Sequence, residues 1–357
     1  MEVNGYHENI TYQEILRQQS IWKETITHLE MDKQKSRTLL EKNRDRVWVF
    51  SGCGTSFYLA QSSSVVFEKL TGILTKAVPA SEILINSDTV FNKKGKFIFV
   101  ALSRSGSTTE IVRAVQKTRN ELNIPTLAIS CDTQSKMSKE SNHILKFPFE
   151  QERSVVMTGS FTTMLLAIIH LGSLNLDISN LADRLVDVAA SSEKIMKESE
   201  STIKTILNNY SISDYVFLGQ GINYGIANEA ALKMQEMSIS FSQSFHSMEY
   251  RHGPLSTATE NTLITIISSQ SSHKYDVDLV SDMKKLGAKV LLLRPETDKP
   301  TKRLADFEIS VPEIYGDILN PLLYMPVLHL LGYHAALSKK INPDKPRNLT
   351  AVVQLQI

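Results

Sequence analysis

Cysteine is nearly absent from this chain of 357 residues: Cys53 and Cys131 are the two it has. They are too few and too far apart for a CxxC site or a disulfide framework, which suits a reducing compartment, and a cytoplasmic location is expected. Net charge is nearly absent too. Lys and Arg number 39 against 38 Asp and Glu, so no global field draws the chain to nucleic acid or to an anionic membrane, and any anion must be held locally. The longest apolar runs, such as residues 97–102 and, broken only by Thr265, 263–267, are strand-sized and far short of the roughly 20 residues that cross a bilayer. Residues 1–11 hold no basic stretch leading into an apolar block, so no secretion signal is read there. The 9 histidines fall in no HxxxH or HExxH spacing, and no metal is expected. With 42% apolar and 22% charged residues the composition is that of a folded globular chain rather than a disordered one. Its length exceeds what one hydrophobic core holds, which predicts two domains.

Apolar residues at helical spacing, Ile15, Trp22, Ile26 and Leu29, then Leu39 and Leu40, predict leading helices within residues 1–42 that cap the first domain. Next, Val47-Trp48-Val49-Phe50 reads as a strand, Gly52-Cys53-Gly54-Thr55-Ser56 as a turn, and the stretch to Leu70 as a helix, with further strands near residues 97–102 and 125–130. Strands alternating with helices predict an α/β fold, a parallel sheet covered on both faces with ligands at the carboxyl ends of its strands. Residues 176–209 are long, amphipathic and mostly polar, a helical connector between two halves. A second strand and glycine turn, Val216-Phe217-Leu218-Gly219-Gln220-Gly221, repeats the first at a constant offset of 167 residues (50 to 217), which predicts a duplicated unit. The expected domains are residues 43–190 and 191–340, followed by a tail over 341–357.

Between a buried strand and an amphipathic helix (Ile111, Val112, Val115) lies Ser103-Arg104-Ser105-Gly106-Ser107-Thr108-Thr109-Glu110. Its hydroxyls and free amides gather at a helix N-terminus, where a phosphate is held without any net basic charge. The same residues also read as a plain N-cap in a Ser/Thr-rich loop, and sequence leaves both readings standing. The second copy has Ser268-Ser269-Gln270-Ser271 at the corresponding place, so the loop is kept only in the first. In the phosphate reading Ser56, at the start of another helix, faces the same anion. Neither glycine turn carries the Gly-Lys-Ser/Thr ending of a P-loop or the third glycine of a dinucleotide fingerprint, so no nucleotide cofactor is expected.

Further on, Glu229, Lys233 and Glu236 share one face of a helix over residues 223–236. As a solvated ion pair they contribute about 0.2–0.5 kcal/mol. A loop just beyond, Phe245-His246-Ser247-Met248-Glu249-Tyr250-Arg251-His252-Gly253-Pro254, concentrates titratable groups. Carboxylate and imidazole together at a strand end are the materials of general acid/base catalysis near neutral pH.

These motifs, with Glu152-Arg153-Ser154-Val155 through Phe161-Thr162-Thr163 and the ending Asp344-Lys345-Pro346-Arg347-Asn348-Leu349-Thr350, resemble the double sugar-isomerase (SIS) domain proteins. The nearest pattern is the isomerase half of glucosamine-6-phosphate synthase and its stand-alone relatives, the phosphosugar isomerases, deaminases and deglycases. The likeness runs over residues 47–353 and implies two tandem SIS domains, each a mostly parallel sheet between helices in a flavodoxin-like three-layer sandwich. It implies that Ser56, Ser103, Arg104, Ser105 and Thr108 cradle a sugar phosphate, with Val155 and Thr350 beside the sugar. Glu236 becomes the base that moves a proton between C1 and C2, His252 the acid/base that opens the sugar ring, and Glu229 and Lys233 the groups that orient hydroxyls and carboxylate. The tail closes over the site, neither metal nor other cofactor is needed, and a homodimer shares its sites, with His252 acting in trans.

Two departures shape the expected activity. The family's synthase opens with a glutaminase domain, whereas this chain opens Met1-Glu2-Val3, so glutamine is not expected as its direct nitrogen source. The synthase tail supplies an imine-forming lysine two residues after its Asn-Leu pair, and here Ala351 stands in that place. Isomerisation, deamination or deglycation of a 6-phosphorylated amino sugar or fructosamine is therefore expected. The alternatives are an aldose/ketose phosphate isomerase that releases no nitrogen, and a non-catalytic sugar-phosphate sensor.

Overall fold

A computed structural model describes residues 9–175, 181–296, 304–312 and 316–356. Expectations for residues 1–8, for the first part of the connector (176–180) and for residue 357 lie outside the described residues. The first half of the chain runs α1 (Ile10–Leu16), α2 (Gln18–Met31), α3 (Lys33–Lys42), β1 (Val47–Gly52), α4 (Thr55–Thr71), β2 (Thr75–Pro79), α5 (Ala80–Ile85), α6 (Ser87–Val90), β3 (Phe97–Leu102), α7 (Thr109–Gln116), β4 (Thr126–Ser130), α8 (Lys136–Glu140), β5 (His143–Lys146) and α9 (Gly159–Ser173). After α10 (Leu181–Asn209) come β6 (Asp214–Gly219), α11 (Ile222–Ser238), β7 (Phe241–His246), β8 (Thr262–Ile267), α12 (His273–Lys285), β9 (Lys289–Pro295), β10 (Phe307–Val311) and α13 (Gly316–Ser338). No helix among the described residues is long and apolar enough to cross a membrane.

Two compact units emerge. The first holds Ser20–Arg153, Gly159–Val186 and the tail from Thr350. Its strands lie in the order β2-β1-β3-β4-β5, every pair parallel. Central β3 is buried at every residue, as a strand covered on both faces must be, and its unbroken apolar run is the reason it was legible. Trp48, Phe50 and Phe67 pack one face of β1 against α4, with Trp48 and Phe67 centroids 4.5 Å apart. The chain moves outward from β1 to β2, then crosses back to β3 on the other side. The carboxyl ends of β1 and β3 therefore flank the topological switch point, where open α/β sheets bind ligands.

The second unit holds α1, Ser154–Thr158 and Asp187–Leu349. Its order, β10-β9-β8-β6-β7, is again all parallel and repeats the first sheet when read from β7. Thus the repeat seen in sequence is a repeat of fold, and the α/β class with two parallel, helix-flanked sheets holds. Helix α13 is buried on nearly all faces because it packs along α11. At Gly332 the two helices lie close, and a Cβ there would be in ordinary contact with the Lys233 carbonyl oxygen at 3.4 Å.

The leading helices do not all cap the first unit. Helix α1 joins the second, because the Asp344 carboxylate accepts from Ile10 N–H (2.9 Å), Thr11 N–H (2.8 Å) and the Thr11 hydroxyl (2.6 Å). These first-turn amides have no partner inside the helix, and an anion there satisfies them. Tyr12 then stacks on Tyr333 with centroids 5.0 Å apart. The expected tail also divides: from Thr350 onward it lies with the first unit, Val353 O accepting from Thr109 N–H (3.3 Å) and Leu355 N–H donating to Thr109 Oγ1 (3.0 Å).

Candidate active site

In the first unit, β1 and β3 deliver their following loops side by side. Gly52 permits the tight turn into α4, since a Cβ there would collide with Ser56 at 2.5 Å. Ser56 is buried in the first turn of α4. After β3 the loop folds on itself: Gly106 N–H donates to Ser103 Oγ (3.0 Å), and Ser107 N–H to Ser105 Oγ (3.3 Å). Gly106 has φ +57°, and a Cβ there would meet Ser135 Oγ at 2.1 Å, so glycine is required at this bend. Thr108 occupies the N-cap of α7 but its hydroxyl makes no capping bond. The capping contact that the plain N-cap reading calls for is therefore not made by this hydroxyl. The Arg104 guanidinium lies 3.3 Å from Glu152, whose side chain is wholly buried. Thr350, on the tail, is exposed, and its hydroxyl donates to Val352 O (3.1 Å). Both thiols are held protonated near neutral pH: burial, then Glu110, pushes Cys53 up to about 12, and burial pushes Cys131 well above its ordinary range.

The matching loop of the second unit, between β8 and α12, is filled from within. Gln270 N–H (2.7 Å), Ser271 N–H (3.3 Å) and the Ser271 hydroxyl (2.9 Å) all donate to the Asp317 carboxylate at the start of α13. Beneath them Asp276, buried, accepts from the hydroxyls of Ser268 (2.7 Å) and Ser272 (2.6 Å). Two carboxylates thus take up the donors of this loop. This accounts for the Ser-Ser-Gln-Ser departure in physical form.

The second unit carries the titratable cluster. Lys233 is 1% exposed, with its ammonium bonded to Glu236 and 3.4 Å from Glu229. This is no solvated surface pair: α13 covers that face of α11, and the Glu229 side chain is fully buried while that of Glu236 remains 19% exposed. Burial alone would lower the Lys233 pKa, but Glu229 and Glu236 outweigh it and hold it above the usual lysine range. His252 follows the 3-10 turn Glu249–Arg251, exposed, its N–H donating to Glu249 O (2.9 Å). Fully buried Tyr250 anchors this turn, and Arg251 is held by Asp282 at 3.1 and 2.9 Å, so the guanidinium is spent on fold and the imidazole is left to solvent. Val155 is half-buried beside Ser154, whose N–H donates to Glu14 of α1 (3.3 Å). Sequence reasoning missed Tyr224, which stacks on His246 with centroids 3.7 Å apart. It also missed Asp276, Asp282 and Asp317; only proximity in space links them to the motifs. Among the described residues no three His, Cys, Asp or Glu side chains gather as a metal site.

One histidine outside the motifs has a measurable consequence. His329 of α13 is fully buried, and neither ring nitrogen has a hydrogen-bond partner among the described residues. Burial first, and nearby Lys233 second, hold its pKa well below 6.5. The unfolded chain therefore takes up this proton while the fold refuses it, so stability present above pH 6.5 is lost as pH falls below it. The limiting slope is about 1.4 kcal/mol per pH unit for each such proton. His329→Leu is expected to flatten the fall of the melting temperature between pH 7 and 5; an unchanged slope would remove His329 as its source.

Comparison with known proteins agrees with this geometry. The SIS domain family model matches residues 42–172 and again 210–339. A glutamine–fructose-6-phosphate aminotransferase (isomerizing) of Methanothermobacter thermautotrophicus is 28% identical over 308 residues, covering 86% of this chain and 51% of the relative. The chain spans about half the length of the curated relatives it matches. Among solved structures, glucosamine-6-phosphate deaminase from Thermotoga maritima is 29% identical with a TM-score of 0.80, covering 97% of this chain and 100% of that one. Tagatose-6-phosphate ketose/aldose isomerase from Escherichia coli shares the fold at a TM-score of 0.85 and 20% identity, with 100% of both chains covered. Two matched segments on two parallel five-stranded sheets place this chain in the SIS domain family.

Proposed function

We propose that this protein is a cytoplasmic enzyme that removes the amine from a 6-phosphorylated amino sugar or fructosamine by proton transfer between C1 and C2. The observation that carries the reading is the buried Lys233 ammonium between two carboxylates, of which only Glu236 keeps exposure to meet a ligand. A carboxylate so held is a base positioned without cofactor. The substrate supplies the nitrogen, so no enzyme imine is needed. Glu236 takes the proton from the carbon bearing the amine, electrons move into an enolamine, and return of the proton to the neighbouring carbon leaves a substrate imine. Water hydrolyses that imine, releasing ammonia or an amine and a sugar phosphate. Ala351 at the tail position fits this route, since a methyl group forms no imine. The likeness to a Thermotoga maritima protein named as a glucosamine-6-phosphate deaminase, over nearly the whole of both chains, supports it further. His252 serves as the ring-opening acid/base, contributed in trans by the second subunit of a homodimer.

The test incubates pure protein with a panel of 6-phosphorylated amino sugars and fructosamines and follows free amine and sugar phosphate together. Release of both in equal amounts is expected. Turnover of amine-free ketose phosphates alone would replace this reading by a simple aldose/ketose isomerase, and binding without turnover would replace it by a sensor. The cradle is tested separately. Ser105→Ala and Thr108→Ala are each expected to weaken binding of the phosphorylated ligand by about 1–3 kcal/mol, with no effect on its phosphate-free counterpart. Calorimetry giving unchanged affinity in both variants would move the phosphate elsewhere.

A further inference from the structure

Arg104 is the only cation in residues 103–110, and the family likeness makes it a phosphate ligand. Its surroundings are less simple. The guanidinium lies 3.3 Å from Glu152 Oε2, its side chain 12% exposed against 0% for the acid. Glu152 is itself fastened to the first turn of α9: Ser160 N–H donates to Oε1 (3.2 Å) and the Ser160 hydroxyl donates to Oε2. A helix start favours a carboxylate there, so the pair is built into the fold. The main chain at this point is pinned as well, the Arg104 carbonyl accepting from Cys131 N–H and Ser130 Oγ, both at 3.2 Å. Titratable groups beside the pair include Glu150, buried on the same segment, and Cys131 at the end of β4, while Arg153 adjoins Glu152 in sequence and is exposed. Neither Glu150 nor Cys131 adds positive charge.

A phosphate entering this cradle meets a cation already matched by a buried carboxylate one guanidinium away. The hydroxyls and amides serve either charge state of a phosphate monoester, but the second negative charge of the dianion faces Glu152 across Arg104, at a distance where charges in protein interact strongly. We propose that Glu152 is a specificity-determining residue that shares Arg104 with the substrate and biases the cradle toward the phosphate monoanion. Glu152 touches no substrate in this account; it acts through Arg104. The inference rests on the phosphosugar reading and deepens it.

The experiment is calorimetric titration of the full-length protein with fructose 6-phosphate at pH 5.5, 6.5 and 8, spanning the second ionisation of a phosphate monoester near 6. Wild type is expected to bind about five- to tenfold more weakly at pH 8 than at pH 5.5. Glu152→Gln keeps the shape and removes the charge, so its affinity at pH 8 is expected to rise about tenfold and its pH dependence to flatten or reverse. Arg104→Gln leaves the buried acid facing the ligand and is expected to steepen the loss at pH 8, with the double variant returning toward wild type. A merely structural role would shift thermal melts but leave these slopes parallel, and parallel slopes in folded Glu152→Gln overturn the proposal. Should that variant not fold, an unsteepened slope in Arg104→Gln does the same. If wild type binds neither fructose 6-phosphate nor inorganic phosphate at any pH, the phosphosugar reading itself fails, an outcome distinct from parallel slopes.

Discussion

Lys233→Met is expected to destabilise the protein by about 3–5 kcal/mol, the usual cost of breaking a buried ion pair from one side. The methionine stem nearly replaces the lysine stem, so little packing is lost, and what changes is charge. Glu229, fully buried, and Glu236 would then share one face of α11 with no cation between them. Urea denaturation should give a lower midpoint with an unchanged slope, because the surface exposed on unfolding is the same. Adding Glu229→Gln to the Lys233→Met variant tests the cause. Removing the deeper carboxylate should recover about 1–3 kcal/mol, since the remaining Glu236 reaches water. A Lys233→Met variant within about 0.5 kcal/mol of wild type, the ordinary range for surface substitutions, would mean that the lysine is not bound into the cluster as described.

That cluster marks where the sequence was readable and where it was not. Spacings of four and three place Glu229, Lys233 and Glu236 on one face of a helix, and α11 is that helix. Spacing carries no information on whether the face looks outward. The answer lies in α13, which packs along α11 and brings Gly332, about a hundred residues later in the chain, beside Lys233. The same division runs through the strands. β3 is a continuous apolar run and β8 a nearly apolar one, interrupted by Thr265, because both strands are buried at every residue, and such runs are legible. β5 and β7 are edge strands with little or no full burial, and the polar Phe-Ser-Gln-Ser-Phe-His of β7 carries no strand pattern to read. Charges show the limit most plainly. Arg104 meets Glu152 across 48 residues and the start of α1 meets Asp344 across more than three hundred, contacts that no local pattern encodes. What a motif reports is the loop and the residue types; which charges are already satisfied is decided by tertiary packing.

Turnover should collapse in Glu236→Gln while ligand binding stays. The two carboxylates beside Lys233 are not equivalent: the side chain of Glu229 has no exposure, that of Glu236 has 19%, so only the second can reach a carbon acid on a bound sugar. Glutamine keeps the length and an oxygen for the Lys233 ammonium but has no proton affinity. A positioned general base contributes roughly two to four decades, and a loss of at least two decades in kcat with little change in Kd is expected. Exchange of solvent deuterium into C1 or C2 should fall in parallel, which separates loss of the proton transfer from slow product release. Near-normal kcat would move the base elsewhere. The same variant decides whether sites are shared between subunits. When Glu236→Gln and His252→Ala proteins exchange subunits, about half the dimers become mixed, and each has one site with both residues intact if His252 acts in trans. Roughly a quarter of wild-type activity should return. Verified exchange with no recovery would place both residues of each site on one chain, because then every site in a mixed dimer lacks one of them.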